Sequence, residues 1–127
     1  MSVIISYILS IFLFAALDIF WLGFLMNDFY QNNIGKLGRS SPLISIGIIV
    51  WVLIVGGIFY FVLPLSINYK SAFLNGLTFG FILYSVYELT NYLYITNWPF
   101  PIVIVDILWG SFVCSLISVF SFLLQAQ

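Results

Sequence analysis

The sequence predicts an all-α integral membrane protein, with four transmembrane helices in a compact antiparallel bundle. Two observations carry this. Of 127 residues, 64% are hydrophobic and 6% are charged, against about 45–50% and about 25% in soluble domains. Three Lys or Arg and four Asp or Glu cannot furnish a water-soluble surface, and the mean hydropathy is +1.22. Second, four apolar stretches reach the ~20 residues needed to cross ~30 Å of hydrocarbon. They run from about 3 to 26, 43 to 63, 72 to 95 and 101 to 124, within one membrane domain over residues 1–127.

The composition also excludes several classes. With net charge −1 and no basic run, the bilayer is the expected partner and nucleic acid is not. The absence of His rules out His-ligated haem, zinc and di-iron centres, and one Cys allows no intrachain disulfide. No cofactor or metal is expected.

In the first span no Lys or Arg precedes the apolar run, which argues for a retained helix over a cleaved signal. It carries Asp18 and Trp21. The connection 27–42 is the long polar stretch, with Asp28, Tyr30, Gln31, Lys36 and Arg39. Gly35 and Gly38 forbid one uninterrupted helix there but permit a short interfacial one. It reads equally as a solvated connector or as a lid.

The second span is apolar all round, has Gly47, Gly56 and Gly57 for close helix contact, and ends at Pro64. It reads as scaffold. The third opens with the small-residue pair Gly76 and Gly80. It then sets Tyr84, Tyr87, Glu88, Asn91 and Tyr94 on one side at helical spacing. Trp98-Pro99 terminates it, and Tyr92, Tyr94 and Trp98 suit an interfacial belt.

The fourth span carries Asp106 and Trp109 near its start. Its stripe of Ser111, Cys114, Ser115 and Ser118 reads as helix packing, and Cys114 has no base beside it. An even number of spans puts both termini on one side. The Lys36 and Arg39 count leans slightly to a cytoplasmic 27–42 connection.

Depth ties the acids together. At 1.5 Å per residue, Asp18 lies ~12 Å, Glu88 ~10 Å and Asp106 ~7 Å below the interface on the 27–42 side. Three helices of alternating direction therefore bring their acids into one leaflet. Each acid has a donor three residues on, sharing its face: Trp21, Asn91 and Trp109.

An Asp near a span's centre costs ~2.5–3.5 kcal/mol, which is why such residues usually face a bundle interior or a wet cavity. With no intramembrane Lys or Arg, water enters, a cation binds, or at least one acid holds a proton at pH 7. The bland alternative is that protonated acids hydrogen-bond the helices together.

Three motifs in order resemble the bacterial membrane-protein family catalogued as domain of unknown function 2177. They are Ala16-Leu-Asp-Ile-Phe-Trp-Leu-Gly23, Tyr87-Glu-Leu-Thr-Asn91 with Trp98-Pro99, and Val105-Asp-Ile-Leu-Trp-Gly110. The resemblance covers nearly the whole chain and includes Phe29-Tyr-Gln31. The family pattern has Asp where this chain has Glu88. It implies a four-helix, multi-pass protein of the bacterial inner membrane and supplies no established activity.

Three functions follow as expectations. The first is a site for a lipid-like or other small amphiphile, with Asp106 and Glu88 as acid and base and Asp18 orienting. Trp21, Asn91, Trp109, Tyr84 and Tyr87 would contact the ligand. The second is a proton- or cation-coupled transporter, for which four helices are few unless the protein forms a homodimer. The third is an assembly subunit whose acids await a partner's basic residue.

Overall fold

Helix starts are set by short polar side chains. The Ser2 hydroxyl accepts the Ile5 N–H at 3.1 Å and opens α1 (Val3–Leu25). Its last five residues, Trp21–Leu25, are wound as π-helix. After Met26 comes α2 (Asn27–Ile34), stopped by Gly35 at φ +54°, where only glycine is unstrained. The short helix that the sequence permits in this connection is present.

The second span, α3 (Ile44–Leu65), relaxes into π-helix at Ile58–Val62 and a 3-10 turn at Pro64, which cannot donate to the helical ladder. The third, α4 (Tyr69–Tyr94), begins three residues before the hydropathy boundary of 72. The reason is a capping box: Asn68 Oδ1 accepts from Ser71 N–H at 2.8 Å, and Ser71 Oγ accepts from Asn68 N–H at 3.0 Å. Asn97, at φ +68°, turns the chain into α5 (Phe100–Gln125), which carries Pro101 in its first turn. The computed structural model describes residues 1–127, with four helices long and apolar enough to cross a membrane and no strand.

The spans are not packed equally. Of 22 buried residues, eleven lie on α5, which is the spine of the bundle. The α4–α5 seam is the most extensive. Gly76 abuts Ser118 and the Cys114 carbonyl, Gly80 meets the Gly110 carbonyl, and Gly110 leaves room for the Tyr84 ring. A side chain at any of these would force the helices apart, so the stripe 111–118 serves packing.

On its other flank α5 meets α1, and α1 meets α3. Near the termini Gln125 Nε2 donates to Ser6 Oγ at 2.6 Å, and the Ser10 and Ser121 hydroxyls bond at 2.7 Å. The spatial order is thus α3, α1, α5, α4.

Helices α3 and α4 meet chiefly where Ile58–Val62 approaches α4 beside their connecting turn, with Gly57 under the Phe79 ring. Toward the 27–42 side they part, leaving a cleft floored by α1 and α5. Large apolar side chains cover the outer faces: Ile4 is 72% exposed and Phe24 75%, as a bilayer solvent requires.

Candidate functional site

The helix bounds put the three acids at matching depth. Asp18 lies seven residues before the end of α1, Glu88 six before the end of α4, and Asp106 six after the start of α5, giving ~9–10 Å each. All three line one cavity of about 530 Å³, which occupies the cleft between α3 and α4. Eleven of its fourteen lining residues are hydrophobic. Tyr84 and Tyr87 also line it, so five of the eight expected site residues share this space.

The donors are not those that spacing on one helix suggests. Asp18 does not take its N–H from Trp21. Trp51 Nε1 donates to Asp18 Oδ2 at 3.0 Å and Trp109 Nε1 to Asp18 Oδ1 at 3.0 Å. Trp109 therefore serves the acid of α1 rather than Asp106 on its own helix. Trp21 instead stacks on Trp109, with ring centroids 4.4 Å apart and planes 5° from parallel. Its N–H donates to the Tyr30 hydroxyl at 3.2 Å.

Tyr30 then donates to Asp106 Oδ1 at 3.1 Å. Its ionisation is pushed above the ordinary tyrosine value, first by burial and next by the Asp106 carboxylate, so the hydroxyl keeps its proton and its role as donor. Glu88, 2% exposed, accepts from Trp98 Nε1 at 2.9 Å. The expected donor, Asn91, is not its partner.

Two units result. Asp18 has both oxygens engaged by indoles from two different helices, which fixes the orientation of its carboxyl. Asp106 and Glu88 lie side by side in the lining of the same cavity, a juxtaposition in which two carboxyls commonly share a proton. Each has a capping donor from a connection on the same side: Tyr30 from α2 and Trp98 from the α4–α5 turn.

Trp51, Tyr30 and Trp98 are the members that the sequence pattern leaves out. Trp51 had a usable signal. It lies seven residues into α3, ~10 Å deep and level with Asp18, so α3 is more than scaffold. Tyr30 and Trp98 reach the acids only because their connections fold back, which no helical periodicity encodes.

The cavity has an open apolar wall. Val50 and Leu53 of α3, 44% and 67% exposed, face Leu83 and Tyr87 of α4, 36% and 57% exposed, across the cleft. No Lys or Arg lines it. No group of three or more acidic or Cys side chains is disposed to hold a metal ion.

No curated protein and no solved structure matches the chain. The family model described as Predicted membrane protein (DUF2177) matches residues 3–123, nearly the whole length, and the chain belongs to that family.

Proposed function

We propose that this is a multi-pass protein of the bacterial inner membrane that draws a lipid-like or other small amphiphile sideways from the bilayer. The molecule passes between α3 and α4, and its polar end is handled by acid/base chemistry at Asp106 and Glu88. The observation that carries this reading is a cavity lined by three carboxyls together with an exposed apolar wall facing the position of the lipid. Its volume, about 530 Å³, falls in the range of small-molecule sites.

In this reading the ionised member of the Asp106–Glu88 pair removes a proton from the ligand, and the protonated member returns one at another atom. Double-bond migration fits that balance, since one proton leaves and one arrives with no change of oxidation state. Asp18, held by Trp51 and Trp109, supplies a fixed negative charge beside the pair.

The test is the identity of what co-purifies. Wild type and Asp18→Asn/Glu88→Gln/Asp106→Asn are isolated in nanodiscs and examined by native mass spectrometry with lipid analysis. A discrete molecule held by the wild type and absent from the folded variant is the expected result. The same bulk lipid on both would overturn the reading.

A further inference from the structure

We infer that the molecule taken by this cavity is an amphiphilic organic cation, its ammonium head seated among Asp18, Glu88 and Asp106 and its chain lying in the α3–α4 cleft. This rests on the cavity being a ligand site, as proposed above.

The first argument is charge. Three carboxyls line the cavity and no basic side chain does. The chain's three cations, Lys36, Arg39 and Lys70, all lie outside the lining. A phosphate or carboxylate head would meet like charge with no donor of opposite sign, a penalty that rejects anionic lipids. A neutral head can donate a hydrogen bond to a carboxylate but brings no positive charge to offset the cluster.

The second argument is independent of the acids. Tyr30, Tyr84, Tyr87 and Trp98 line the same cavity. Aromatic faces attract cations through their quadrupole, and clustered rings are the usual means of recognising substituted ammonium groups. Acids and rings thus converge on one ligand chemistry.

The Asp106–Glu88 pair is where that charge is concentrated. The titratable groups around it are Tyr84 and Tyr87 on α4, Tyr30 on α2 and Asp18 on α1, with none from α3. None of these is a cation able to neutralise the pair, so an ammonium settling there supplies the missing positive charge.

The experiment measures binding of dodecylamine, dodecyltrimethylammonium, dodecanol and dodecyl phosphate to the protein in neutral-lipid nanodiscs by calorimetry. Either cation should bind at least about tenfold tighter than dodecyl phosphate or dodecanol. The primary amine and the trimethylated head separate a hydrogen-bonded seat from an aromatic one, and a preference for either supports the inference.

Glu88→Gln/Asp106→Asn should lose the preference. If that variant does not fold, Leu53→Trp keeps every acid and fills the open wall. Leu53 is exposed, so the larger ring is accommodated, and cation binding should fall at least about tenfold. Tight binding of dodecanol or dodecyl phosphate that Leu53→Trp abolishes would overturn the cation inference and leave the cavity reading standing. Cation binding that survives both variants would mark bulk partitioning and overturn the inference. No binding of any of the four to the wild type would overturn it too. The co-purification test then decides the cavity reading separately.

Discussion

Asp18 shows how a carboxylate is made tolerable in a bilayer: each of its oxygens receives an indole N–H, one from α3 and one from α5. Losing one donor leaves a half-satisfied acid, so Trp51→Phe should cost about 1–2 kcal/mol of stability, measured by unfolding in mixed micelles. In an Asp18→Leu background the same substitution should cost much less, since donor and acceptor form one unit. Additive losses would show that Trp51 acts by packing alone. Tyr30 makes a second residue-level prediction. Its folded-state ionisation is raised by burial and by Asp106, so its contribution is full below the unfolded tyrosine value of about 10 and fades as pH climbs past it. Stability of the wild type should therefore decline more steeply above about pH 10 than that of Tyr30→Phe. Thermal unfolding against pH checks this, and parallel curves would contradict it.

At the scale of elements, the α4–α5 seam is held by absent side chains. A Cβ on Gly110 would enter the Tyr84 ring, and one on Gly80 would meet the Gly110 carbonyl and the Cys114 Cβ. Gly80→Ala and Gly110→Ala should each destabilise by about 1–3 kcal/mol through overpacking. The Gly110 change should also displace Tyr84 from the cavity wall. Gly47→Ala is the control, because only Trp51 of its own helix lies near, at 3.9 Å, and it should leave the midpoint of unfolding unchanged. The pairing of Gly76 with Gly80 was legible in the sequence because small residues one turn apart define a face. Donor choice was not. Residues three apart share a face, but a carboxyl aimed at the bundle interior meets what neighbouring helices present at its depth. Trp51 and Trp109 therefore displaced Trp21 as partners of Asp18.

Across the whole molecule, the four spans and the common leaflet of the acids followed from hydropathy and rise per residue alone. The break at Met26 and the turn at Asn97, which fold Tyr30 and Trp98 back over the acids, are set by the backbone of single residues and leave no periodic trace. The parting of α3 from α4 was equally hidden, since it arises from where the two helices fail to pack. The global arrangement makes one prediction of its own. The Met1 amine donates to the Gln127 carbonyl at 2.7 Å, so reporters fused to either terminus should be accessible from one side of the membrane and a tag inserted after Gly38 from the other. Termini mapping to opposite sides would contradict the antiparallel bundle.

One consequence concerns light rather than binding. The chain has four tryptophans, and every one belongs to the network around the acids: Trp51 and Trp109 on Asp18, Trp98 on Glu88, and Trp21 stacked on Trp109. None is left elsewhere to contribute background emission. The near-parallel Trp21–Trp109 pair is close enough for its electronic transitions to couple, which gives the folded site its own near-ultraviolet dichroic band. The protein therefore reports the state of its site without a label, and a change there registers across its entire tryptophan fluorescence.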